Sequence, residues 1–187
     1  MTKKLTLSPA IALLSATTVL CGSIVPQAAF AQKKKADPTE QAVLLGQFGD
    51  WGAYSATPGG KKVCFALSKP QTAVTDPAGR KRDPSYAFVS TRPSEKVKNE
   101  VSVIVGYPQK ANHDATATVD SQSYVLYTQN DGAWVKNAAE EAQMVTAMRK
   151  GSDLVIKSES SRGTKTTDTY SLKGISDALD KVAAECK

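Results

Sequence analysis

The hydrophobic pattern changes character along the chain, and each change predicts a different kind of element. Near the N-terminus, residues 9–25 are almost wholly apolar or small. From Phe48 onward the apolar positions come in short runs broken by turn residues, as in an antiparallel β protein. Residues 48–54 read as a strand, Pro58-Gly59-Gly60 as a turn and residues 62–67 as its hairpin-like partner. The stretch 70–84, punctuated by Pro70, Pro77 and Pro84, reads as a long polar loop. Residues 86–91 and 101–107 are β-branched and aromatic runs bounded by Pro93 and Pro108, which predicts two more strands.

Strict alternation in 115–119 and 123–128 predicts half-buried strands, and Asn130-Asp131-Gly132 turns the chain into a further strand at 133–136. The period then switches. Asn137 stands where a helix N-cap belongs, with Glu140 three residues on, and Gly151 marks the stop, which predicts a helix over 138–150. Alternating runs at 153–160 and 165–172 flank Ser161-Arg162-Gly163-Thr164, which predicts a hairpin. Last, Ile175, Leu179, Val182 and Cys186 recur at helical spacing after Gly174, so a helix opened by Ser176 or Asp177 lays one apolar stripe on the sheet and carries Cys186 inward. The fold class that follows is mainly β, an antiparallel β-sandwich or open barrel with two peripheral α-helices, one of them C-terminal.

The apolar segment at the start is not part of that fold. Lys3 and Lys4 precede it, no charge falls between Leu5 and Gln32, and Ala29-Phe30-Ala31 supplies the small-x-small pattern of a signal-peptidase site. Residues 1–31 are therefore expected to be a cleaved signal peptide, 32–45 a polar Lys-rich leader and 46–187 one β-rich domain. Ser, Thr, Pro9 and Pro26 interrupt the run too often for a membrane anchor. Leu20 stands where lipoprotein processing at Cys21 wants a small residue. The expected place of work is the periplasm, with secretion or outer-membrane association as extensions of it. The formal charge of +6 shrinks almost to neutrality once Lys3, Lys4, Lys33, Lys34 and Lys35 are set aside, so a nucleic-acid-tracking surface is not expected. Arg80, Lys81 and Arg82, between Pro77 and Pro84, read as a solvated basic loop.

Loss of Cys21 with the signal would leave Cys64 and Cys186, an even count in an oxidising compartment, and a disulfide between them is the leading interpretation. A buried thiol at Cys64 is the alternative. A cysteine metal site lacks partners, since His113 is the sole histidine and no C-x-x-C occurs. His113 and Asp114 form the one histidine–carboxylate neighbour pair, in a segment that solvation explains better than catalysis. Glu140 and Glu141, being adjacent, point along different helix azimuths and serve capping and solubility. Trp51 reads as a core anchor and, in the minority reading, a ligand-stacking contact; Trp134, beside a turn, is the better contact candidate. No phosphate loop or dinucleotide fingerprint is present, and no cofactor is expected.

Four short motifs in order carry a resemblance: Phe48-Gly49-Asp50-Trp51, Val63-Cys64-Phe65-Ala66, Asn99-Glu100-Val101-Ser102-Val103, and Thr169-Tyr170-Ser171-Leu172-Lys173-Gly174 before a helix. Together with the signal segment they make residues 46–187 resemble the invasion-associated locus B family of alphaproteobacterial exported proteins. The resemblance implies a periplasmic or envelope-associated β-rich protein, from a family named for a role in host-cell entry, and brings no catalytic residues to transfer. Many members carry two cysteines close together after the Gly-Asp-Trp region, where this chain has Cys64 alone. The expected function is non-catalytic binding of an unknown protein or envelope component, with no nucleic acid and no transmembrane segment after signal cleavage. The alternative is a cysteine-dependent hydrolase or redox enzyme using Cys64.

Overall fold

A computed structural model of the chain describes Thr39 and residues 41–187. The expected signal peptide lies outside the described residues, as does most of the expected leader. Eleven strands form a single antiparallel sheet. In chain order they are β1 (Val43–Phe48), β2 (Trp51–Ala56), β3 (Val63–Ser68), β4 (Thr72–Asp76), β5 (Tyr86–Arg92), β6 (Val97–Ile104), β7 (Ala115–Val119), β8 (Gln122–Gln129), β9 (Gly132–Val135), β10 (Asp153–Glu159) and β11 (Lys165–Ser171). Their order across the sheet is β1-β2-β3-β5-β6-β9-β8-β7-β10-β11-β4. Helix α1 spans Ala138–Met148 and α2 spans Ile175–Glu185. The mainly β class with two helices, one C-terminal, is thus as expected.

The order of the strands dictates that the sheet is curled. Only Lys69, Pro70 and Gln71 connect β3 to β4, a reach of no more than about 14 Å, yet β4 lies at the far edge of the sheet beside β11. The curl brings the start of β2 against the end of β11. There the Asp50 N–H donates to the Lys173 carbonyl (3.0 Å), the Gln71 N–H to Thr169 (2.8 Å) and the Trp51 indole N–H to Ser171 (2.9 Å).

Alternation puts one set of side chains inside the curl, including Trp51, Ala53, Cys64, Ala66, Val89, Val101, Val103, Leu126, Leu154, Ile156 and Tyr170, all essentially inaccessible to solvent. Both helices are spent on this same inner face. Met144, Val145 and Met148 of α1 and Ile175, Ala178, Leu179 and Val182 of α2 belong to the one continuous core.

Three expectations need correction. Residues 43–45 are not leader: β1 begins at Val43, because Val43 and Leu44 pair with Ser55 and Tyr54 of β2. Within the stretch read as loop, Thr72–Asp76 is a strand, with a full register against β11 from Thr169 to Lys165. Its alternation is too short to show above the flanking prolines. Helix α2 starts at Ile175, ahead of Ser176, with Gly174 as its N-cap residue in the left-handed conformation (φ 90°) and no side-chain cap bond. That glycine is required twice over, since a Cβ there would also overlap the Phe48 carbonyl.

The start of α1 is as read: the Asn137 side-chain oxygen accepts from the Glu140 N–H at 2.9 Å. Asn137→Ala is expected to cost about 1 kcal/mol of stability in urea unfolding; a loss below ~0.3 kcal/mol would mean the cap is not contributing. Glu141 is not a solubility residue. The pairing of β6 with β9 stops at Ser102 opposite Trp134, and one residue before Ser102 the Val101 N–H donates to the Glu141 carboxylate at 2.7 Å. Burial pushes the Glu141 pKa above the usual carboxylate value, and the Val101 bond opposes that rise.

Candidate functional site

The helices leave the outer face of the sheet to its own side chains, and on strands β2, β3, β5, β9 and β8 that face is aromatic. Tyr54 and Phe65 are cross-strand partners and stack with ring centres 5.4 Å apart. Phe65 meets Phe88 at 5.9 Å, and Phe88 meets Tyr86 at 6.2 Å. Phe88 is paired with Ser102, Ser102 with Trp134, and Trp134 with Tyr127, so a single cross-strand row carries the aromatic character over β6. Trp134 stacks on Tyr127 with centres 5.6 Å apart, and its ring folds over Gly132, where any Cβ would overlap it. The rings therefore lie along the sheet instead of standing away from it. At the β8 end the face is open to water, with Tyr127 41% and Val125 46% exposed.

Inside the curl the lining turns polar at β11. Along β11 the inward positions are Thr166, Asp168 and Tyr170, all buried. An inward carboxylate needs a counter-charge, and Arg82 provides it from the segment between β4 and β5. Its guanidinium forks onto both Asp168 oxygens, one bond measuring 2.8 Å, and also donates to the Val105 carbonyl at 2.8 Å. Ser85 donates to Asp168 at 2.9 Å and shares a 2.6 Å bond with the Tyr170 hydroxyl. Burial pushes the Tyr170 phenol well above its ordinary range, and the bond to Ser85 works against that shift. The cluster fastens the 77–85 segment across the curl, and beside it that segment and β4 wall a cleft of about 740 Å³.

The residues singled out from sequence fall into place around these surfaces. Cys64 and Cys186 are bonded to each other, with Cα atoms 5.9 Å apart. Cys64 is buried as well as bonded to Cys186, so it presents no free thiol. Trp51 is completely buried and its one polar atom is bonded to Ser171, which makes it the core anchor and leaves no face for the stacking contact considered for it. Trp134 is half-buried on the outer face, beside exposed Tyr127.

His113 is about half exposed, 3.7 Å from Glu159, while the Asp114 carboxylate turns to Lys136 at 2.7 Å instead of to the imidazole. Glu159 is held below the usual carboxylate range chiefly by its bond from Lys110. Among the described residues, no group of three or more His, Cys, Asp or Glu is placed to hold a metal ion, and no helix is long and apolar enough to cross a membrane.

Arg82 corrects the reading of a solvated basic loop: its side chain is only 10% exposed. The available signal was Asp168, a charge at an inward position of an alternating strand, which must find a cation somewhere. The aromatic row carried no such signal, because cross-strand neighbours are set by register.

The family model for the invasion associated locus B (IalB) protein matches residues 51–183, from the buried Trp51 to the last full turn of α2. The chain belongs to the IalB family. The matched span contains the aromatic row, the Arg82–Asp168 cluster and Cys64, and stops short of Cys186. The staple of this IalB chain thus reaches outside the matched region to close. No curated protein and no solved structure matches the chain.

Proposed function

We propose that this IalB-family protein is exported and acts without catalysis, by binding a protein or envelope component through the outer aromatic face. The observation that carries the reading is the row ending in Trp134, Tyr127 and Val125, where stacked rings and an aliphatic side chain meet solvent together. Aromatic side chains supply contact area at low entropic cost and dominate interface hot spots. Both helices are committed to the opposite face, and while Phe65 and Tyr86 are buried in an apolar cluster of their own, Tyr127 and Val125 at the β8 end are exposed. Export is supported by the N-terminal apolar segment with its Ala29-Phe30-Ala31 site, and by a disulfide of the kind oxidising compartments favour.

The test is co-sedimentation of the purified protein with cell-envelope fractions. Tyr127→Ala and Val125→Ser lie on the exposed face and leave the core untouched. Each is expected to weaken retention by at least about tenfold, while loss of the Trp134 stack in Tyr127→Ala lowers the unfolding temperature by no more than about 5 °C and leaves the protein folded. Retention that is absent in the parent protein, or equal in the variants, would overturn the reading.

A further inference from the structure

We propose that the cleft between β4 and residues 78–85 takes an extended acidic peptide, which adds to the sheet as a strand on the free edge of β4. This surface is separate from the aromatic face and does not depend on it. Strand β4 closes the sheet order and pairs, among the described residues, with β11 alone. In an antiparallel strand alternate residues turn their N–H and C=O groups to each side, so the second edge of β4 presents a hydrogen-bonding ladder that no strand among the described residues fills. Instead of covering that edge with a paired strand, the chain returns along 78–85 and leaves a cleft of about 740 Å³, within the range of ligand-binding pockets. One tie crosses between the two walls, from the Arg80 N–H to the Thr75 hydroxyl at 3.2 Å.

Charge selects the peptide. Arg80 and Lys81 are exposed on the lining, against the single carboxylate of Asp83, while Lys69 lies over the Tyr86 ring. Arg82 is also there, but its guanidinium is committed to Asp168 and the Val105 carbonyl. The deepest cation is thus already neutralised and the remaining ones sit at the rim. A lone phosphate would find no buried fork of donors, whereas a strand with carboxylates projecting to the rim uses the main-chain ladder and the cations together. Between them Pro70, Ala73, Val74 and Pro84 offer apolar wall for the alternate side chains, and Val74 is 59% exposed. The Lys-rich segment at 33–35 has the wrong sign to be the occupant.

The experiment is fluorescence polarisation of a labelled hexapeptide alternating Glu and Val, titrated with the full-length purified protein. Saturable binding is expected, and it should weaken at least about tenfold for the Arg80→Glu, Lys81→Glu double variant, whose side chains are solvent-exposed and whose fold is checked by its unfolding temperature. Binding should also weaken between about 50 mM and about 500 mM salt. The same peptide N-methylated at alternate residues keeps its charge and loses its ladder, and is expected to bind at least about tenfold more weakly. Tyr127→Ala should bind the peptide as the parent does, which separates this site from the aromatic face. No saturable binding, equal binding by the methylated peptide, or indifference to the charge reversal would each overturn the proposal. Tighter binding of inorganic phosphate than of the peptide would do the same.

Discussion

Asp168→Ala is expected to remove roughly 3–5 kcal/mol of stability, the usual result of leaving one half of a buried ion pair without its partner. Asp168 is 1% and the Arg82 side chain 10% exposed, so water cannot replace the lost carboxylate. The loss spreads beyond the pair, because Ser85 bridges Asp168 to the Tyr170 hydroxyl and the 77–85 segment is anchored through both Arg82 and Ser85. Urea unfolding followed by tryptophan fluorescence reads the change, since Trp51 is buried against Ser171 of the same strand. The double variant Arg82→Met, Asp168→Leu is the informative companion. Removing both charges in favour of apolar side chains of similar size is expected to restore most of the stability. A loss below about 1 kcal/mol in the single variant would show that the pair is open to solvent.

The second large effect is expected from the disulfide. Replacing Cys64 and Cys186 by alanine is expected to cost up to about 4–5 kcal/mol, because the bond closes a loop with a sequence separation of 122 and so removes much of the freedom of the unfolded chain. The affected element is α2, whose last turn is held to β3 by the bond and otherwise by the exposed Lys62–Glu185 pair at 2.6 Å, an interaction worth little by itself. Thermal unfolding with and without reductant measures the difference, and a drop of roughly 10 °C or more is expected. An unchanged unfolding temperature would mean that the apolar stripe of Ile175, Leu179 and Val182 holds the helix alone.

The two residue groups behind these predictions were unequally visible in the sequence. Pairing Cys64 with Cys186 needed only the expectation that Cys21 leaves with a signal segment, and the helical spacing that turns Cys186 inward. The Arg82–Asp168 pair joins positions separated by 86 residues, and Arg80, Lys81 and Arg82 look alike in a list of letters. Which of the three turns inward depends on where the returning segment crosses β11. The aromatic row was illegible for a related reason. Tyr127, Trp134 and Phe88 belong to three strands, and only the registers of β5 with β6, β6 with β9 and β9 with β8 bring them into line.

Features governed by neighbours along the chain were legible in the residue order alone. The alternation of β7, β10 and β11, the turn at Asn130-Asp131-Gly132, the Asn137 cap and the stripe on α2 are local, because backbone geometry repeats every two or 3.6 residues and needs no distant partner to be recognised. The remaining features are non-local. The strand identity of Thr72–Asp76 comes from β11, the use of Glu141 from the point where β6 stops pairing with β9, and the burial of Arg82 from Asp168. In each case a polar or weakly patterned group takes its role from a partner, since an unpaired strand or a buried charge is costly until that partner arrives.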